Sequence, residues 1–142
     1  MSIRIVRLGS PRAPGEGTRI GTVRLPPRGV PKSKFSALDW YVVWFPNLAP
    51  SWETMKLGRA AESKAAWSAF ARAYRAEMAG PAARHDIGLL AALSRSADFS
   101  VGCYCQDETR CHRSILRELL AEAGAKIAQA RDRRPGLRSP GD

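Results

Sequence analysis

Apolar positions recur along this chain with two different spacings, and the switches between them divide it into alternating extended and helical segments. Ile3, Ile5, Val6 and Leu8 give the apolar density of a short strand, which Gly9-Ser10-Pro11 and Pro14-Gly15 then break. Ile20, Val23 and Leu25 predict a second strand over 18–25, ended by Pro26-Pro27 because neither proline can donate to a ladder. The aromatic and β-branched run from Trp40 to Phe45 predicts a third strand over 38–45, with Pro46 and Pro50 bracketing its exit. The spacing then becomes helical. Ser51 is a good cap for a first turn of Trp52-Glu53-Thr54-Met55. Over 62–78, Trp67, Phe70, Ala71, Tyr74 and Met78 fall on one stripe of a 3.6-residue helix, while Arg72, Arg75 and Glu77 face elsewhere. Gly80-Pro81 stops that helix, and Ile87, Leu90 and Leu93 predict another over about 82–96. An apolar stretch over 99–105 reads as a buried strand. A final amphipathic helix over 114–123 carries Ile115, Leu116, Leu119 and Leu120 on one face, with Gly124 as its stop.

Strands separated by helices predict an α/β fold: one domain over 1–130 with a small, mostly parallel sheet and flanking helices, a Rossmann-like three-layer arrangement. A chain of 142 residues with 44% apolar content suffices for one core. The segment 131–142, with Pro135, Gly136, Pro140 and Gly141 among four arginines, has the composition of a basic disordered tail. No stretch approaches the roughly 18 apolar residues of a membrane helix, and the first residues lack an apolar signal core. A cytoplasmic protein with no membrane partner is the expectation.

The formal net charge of +10 is concentrated near the start. Residues 1–35 hold Arg4, Arg7, Arg12, Arg19, Arg24, Arg28, Lys32 and Lys34 against Glu16 alone. Such a surface attracts phosphates, so the partners to expect are a phosphate-bearing small molecule or nucleic acid.

All three cysteines lie within nine residues, Cys103-Tyr104-Cys105-Gln106-Asp107-Glu108-Thr109-Arg110-Cys111, and His112-Arg113 follows at once. An odd, clustered set without an export signal argues against a disulfide framework and for reduced thiols, a metal or redox chemistry. On a strand, Cys103 and Cys105 would share a face about 6.6 Å apart, too far for a disulfide between them. A helix beginning near Thr109 would put its free N–H groups and dipole beside Cys111, with Arg110, His112 and Arg113 favouring the thiolate. Three uses of this run stand open. Cys111 is a candidate nucleophile with His112 as its base. Backbone N–H groups and Arg113 form a candidate anion site. Cys103, Cys105, Cys111 and His112 are four donors suited to zinc, although the run lacks a C-x2-C knuckle. The plainer alternative makes Cys103 and Cys105 small buried hydrophobes.

Several of these motifs together resemble the uncharacterised bacterial YeaO-like family, domain of unknown function 488, in the branch with a C-terminal Cys-His-Arg signature. The likeness rests on Cys103-Tyr104-Cys105, Cys111-His112-Arg113-Ser114 and Leu119 to Gly124. Upstream it adds Arg24-Leu25, Pro27-Arg28-Gly29-Val30, Leu48-Ala49-Pro50-Ser51, and Trp67-x-x-Phe70 followed by Tyr74-Arg75-Ala76-Glu77. Two departures stand out. The family often has Asp-Arg-Leu-Trp-Pro-Arg-Gly where this chain has Val23-Arg24-Leu25-Pro26-Pro27-Arg28-Gly29, and its usual aromatic and His after Ala-Pro-Ser give way to Lys56-Leu57-Gly58-Arg59. The resemblance implies a fold and a site location but supplies no established reaction.

These readings converge on a pocket at the carboxyl ends of the strands that binds a phosphate-bearing ligand, a nucleotide or nucleic acid. Arg24, Arg28 and Arg113 hold the anion, Cys111 and His112 carry any catalysis, and Tyr74, Arg75 and Glu77 complete the wall. The alternative is a zinc or thiol-redox module on Cys103, Cys105, Cys111 and His112.

Overall fold

The computed structural model describes residues 1–128, so the predicted tail 131–142 lies outside the described residues. Four strands, β1 (Ile3–Arg7), β2 (Thr18–Gly21), β3 (Val43–Trp44) and β4 (Phe99–Cys103), form one sheet in the order β1-β4-β2-β3, and every pairing is parallel. Four helices, α1 (Trp52–Ala60), α2 (Lys64–Met78), α3 (Pro81–Leu93) and α4 (His112–Glu122), complete the α/β domain. Among the described residues no helix is long and apolar enough to cross a membrane.

Alternation along the strands decides which face each residue joins. Ile3, Ile5, Phe99 and Val101 form one core with Phe70, Tyr74 and Met78 of α2, Ile87 and Leu90 of α3, and Ile115, Leu116 and Leu120 of α4. The predicted stripe on α2 is thus the face turned to the sheet. Positions between those strand residues cover the other face, where Arg19 and Ser100 are fully buried. The third layer there is made of loops. Arg19 holds Glu16 through two hydrogen bonds of 2.7 and 3.0 Å and donates to the carbonyls of Ser10 and Asp39 at 2.8 and 2.7 Å. Ser100 Oγ donates to Glu16 at 2.6 Å, so both charges are paired and hydrogen-bonded. Arg19 therefore leaves the count of surface charge and joins two loops to the sheet.

The third strand is the largest departure from the predicted elements. Only Val43–Trp44 pairs with β2, because Asp39 takes a left-handed φ of 62° and turns the chain, with its carbonyl accepting from the Gly9 amide at 2.8 Å. Tyr41 is buried because it covers the sheet: its ring occupies the space a side chain on Gly21 would need. An apolar run that packs over a sheet and one that lies within it share the same composition. The second strand also stops early, at Gly21, and β4 stops at Cys103, which leaves Cys105 beyond the ladder and exposed.

Candidate functional site

Parallel register aligns the strand ends, with Arg7 beside Cys103 and Gly21 beside Gly102. The segments leaving β1, β2 and β4 therefore converge at one edge, where open α/β sheets bind ligands. The Leu8 amide donates to the Cys103 carbonyl at 2.8 Å, and the Thr22 amide and hydroxyl both donate to the Gly102 carbonyl, at 2.9 and 3.0 Å. Thr22 is thereby fixed with its own carbonyl against the first turn of α4.

That carbonyl lies 2.8 Å from His112 Nε2. A carbonyl only accepts, so Nε2 carries the proton. Burial pushes the imidazole down to about 4, and the charges of Arg113 and Arg24 add to this against the opposing effect of the Thr22 bond. At neutral pH the ring is neutral, and Nδ1 presents a lone pair 3.8 Å from Cys111 Sγ.

α4 starts at His112, two residues before the predicted 114. A 3-10 turn, Glu108–Arg110, occupies the position where the sequence suggested a helix start near Thr109. Cys111 is the residue that caps α4, its sulfur accepting from the Arg113 amide at 3.5 Å. The thiol thus sits directly on the positive end of the helix. Across from it, the sulfur of Cys103 is placed against that of Cys111 as a disulfide pair, which the sequence did not suggest, although their α-carbons are 8.0 Å apart, beyond the roughly 7 Å that a disulfide spans. Cys103 Sγ, Cys111 Sγ and a His112 ring nitrogen all lie within 4.8 Å of one another, and all three residues are buried. Cys105, the fourth donor weighed from sequence, is outside this cluster.

The three residues line a cavity of about 960 Å³. Five arginines share that lining: Arg7 from the end of β1, Arg24 and Arg28 from the segment after β2, Arg59 from α1, and Arg110 from the 3-10 turn. No carboxylate lines it, and none of the five forms a salt bridge among the described residues. Arg24 donates to the Ala49 and Pro50 carbonyls at 3.0 and 3.2 Å, and Arg110 to the Ala61 carbonyl at 2.7 Å. Trp40, Trp67, Phe70 and Tyr104 supply aromatic surface in the same lining.

Arg24, Arg28, Cys111 and His112 line this one cavity. The other expected residues are placed differently. Arg113 is only 3% exposed and outside the cavity lining, with its guanidinium donating to the Cys105 carbonyl at 2.6 Å. Tyr74 is buried, its hydroxyl donating to the Leu48 carbonyl at 2.8 Å and its ring centred 5.5 Å from that of His112. Arg75 pairs on the surface with Glu118 and Glu122 at 2.7 and 3.0 Å. Glu77 receives hydrogen bonds from the Ser51 amide and hydroxyl and from the Thr54 hydroxyl, which fixes the start of α1. Arg7, Arg59, Trp40 and Tyr104 were not singled out as site residues by the sequence, and Arg110 was named there only for its charge beside Cys111. Arg59 had one signal, since it lies in the segment that departs from the family pattern.

A family model, DUF488-N3a, described as "Active DUF488-N3 subclade", matches residues 3–124. No curated protein and no solved structure matches the chain.

Proposed function

The chain belongs to the DUF488-N3a family, and we propose that its cavity binds a phosphate-bearing ligand with a planar base: a nucleotide, free or within a nucleic-acid strand. The observation that carries this reading is the set of five arginines around one cavity with neither a lining carboxylate nor a salt bridge to offset them. Five like charges around one concavity repel one another, and an anion relieves that repulsion. Arg28 and Arg59 make no side-chain hydrogen bond among the described residues, so both guanidinium forks are available to phosphate oxygens. Trp40, Trp67 and Tyr104 offer faces and edges on which a base can stack. The volume, about 960 Å³, is within the range of small-molecule sites. Cys111 and His112 lie at the lining of the same cavity, where a thiol and a neutral imidazole would face the bound ligand. The family description's word "Active" is in keeping with chemistry there.

Calorimetric titration with ADP and with adenosine tests the reading. ADP is expected to bind, more weakly as salt is raised, and adenosine to bind at least tenfold more weakly. Arg28→Ala, at an exposed position, is expected to weaken ADP binding roughly tenfold, the loss of one charge-assisted contact, with no change in Tm. Replacing ADP by a short single-stranded oligonucleotide separates a free nucleotide from a strand as the preferred form. Equal affinity for ADP and adenosine, or no binding of ADP or the oligonucleotide, overturns the reading.

A further inference from the structure

We infer that Cys103, Cys111 and His112 form a zinc site with three protein ligands and a fourth coordination position open to the cavity. Tetrahedral zinc holds thiolate sulfur at about 2.3 Å and imidazole nitrogen at about 2.0–2.1 Å, which places a sulfur and a nitrogen on one ion about 3.6 Å apart. His112 Nδ1 and Cys111 Sγ are 3.8 Å apart, and all three donor atoms fall within 4.8 Å.

Two further observations agree with a shared ion. The first is the second nitrogen of the imidazole. Metal-bound histidines donate their other N–H to a carbonyl or carboxylate, which fixes both tautomer and ring orientation. His112 does so through Nε2 to the Thr22 carbonyl at 2.8 Å, leaving Nδ1 as the ligating atom. The second is the path of the backbone around the two sulfurs. Cys103 ends a strand and Cys111 caps a helix, and their α-carbons, 8.0 Å apart, are too distant for a direct S–S bond yet bring both sulfurs to one point. A shared ion, with the two sulfurs moved apart to either side of it, accounts for a convergence that these α-carbons cannot complete as a disulfide.

Charge agrees as well. Two thiolates, a neutral imidazole and a divalent cation sum to zero, so the buried cluster carries no net charge when loaded. Donor softness selects zinc over magnesium or calcium, which take oxygen ligands. The cluster has three members among the described residues, and all three line the cavity. A site closed by four protein ligands is structural, whereas one with three keeps a position for water or substrate. This arrangement belongs to the second kind.

The site stands apart from the nucleotide reading, because metal uptake is measured with no nucleotide present. The full chain, purified in reducing buffer without added metal, is assayed for zinc by elemental analysis and for free thiols by alkylation and mass spectrometry. About one zinc per chain is expected, with Cys105 alkylated readily and Cys103 and Cys111 protected until a chelator is added. Cys103→Ser and Cys111→Ser are each expected to bring the zinc content close to zero, and Cys105→Ser to leave it unchanged. Should the serine variants not fold, replacement of zinc by Co(II) in the unmodified chain gives an independent readout: a thiolate-to-cobalt charge-transfer band and the strong visible bands of a tetrahedral ion. Absence of stoichiometric zinc with all three thiols equally reactive, a Cys103–Cys111 disulfide persisting in reducing buffer, or loss of zinc only in Cys105→Ser would each overturn the inference.

Discussion

His112 donates from Nε2 to the carbonyl of Thr22, 90 positions earlier in the chain, at 2.8 Å. One hydrogen bond therefore ties the start of α4 to the end of β2 and sets which imidazole nitrogen faces the cysteines. His112→Ala removes the bond, leaves a buried carbonyl without its partner and opens a hole beside Tyr74. The expected cost is about 3 kcal/mol, an orphaned acceptor plus a cavity. Urea unfolding of the variant checks it, and a loss under about 1 kcal/mol contradicts the role given to this bond.

The buried Glu16–Arg19 pair gives a pH dependence with a definite sign. Burial alone would raise the Glu16 carboxyl, but hydrogen bonds from Arg19, Ser100 and the Ala13 amide, with the Arg19 charge, outweigh it and hold the group at about 2. A carboxyl depressed on folding stabilises the protein above its ordinary value of 4.5, and that stability is lost as pH falls from there toward about 2. Urea midpoints are therefore expected to fall across this window. In Glu16→Gln the contribution of this group disappears, and stability at neutral pH drops by about 3–5 kcal/mol because the Arg19 charge is left buried and unpaired.

Gly21 lies in β2 with the Tyr41 ring where its side chain would be. Gly21→Ala is expected to lower stability by about 1–3 kcal/mol, the usual cost of forcing a methyl into a packed interior. Gly15, with open space where a side chain would project but a left-handed φ of 74°, separates the two causes: Gly15→Ala tests backbone strain without crowding. A lower Tm in Gly21→Ala that Tyr41→Phe does not restore but Tyr41→Ala partly does would identify the ring as the obstacle.

Arg113 is proposed as a positioning residue, acting through the Cys105 carbonyl and the loop that leads to Arg110. Arg113→Ala is expected to cost about 2 kcal/mol, a charge-assisted hydrogen bond from a buried guanidinium, together with faster proteolysis in 105–110. A variant that loses nucleotide binding with its stability unchanged would instead make Arg113 a direct ligand.

Local features were legible in the sequence where one segment carried all the information. The strand-turn-helix around Cys111, the cap at Ser51 and the stripe on α2 each depend on residues within a few positions of one another. The charge count was legible too, but not its destination: Arg19 and Glu16 are three apart, a spacing ordinary on a surface, and only the sheet face buries them. Trp40 and Tyr41 had strand composition and became a cover over the sheet. The cavity was only half legible for a related reason. Arg7, Arg59 and Arg110 are separated by about 50 residues each, and no local pattern assigns them to one wall until the sheet order does.

The strand order also governs when the protein can exist. β4 is central, yet it is the last strand in the chain, and β1 and β2 pair with it and not with each other. During synthesis β1 therefore waits without a neighbour, and β2 with only the short β3 beside it, until roughly a hundred residues have left the ribosome. Only then do the sheet and the cysteine cluster come into being, in one late step, and a chain cut short before Phe99 has neither.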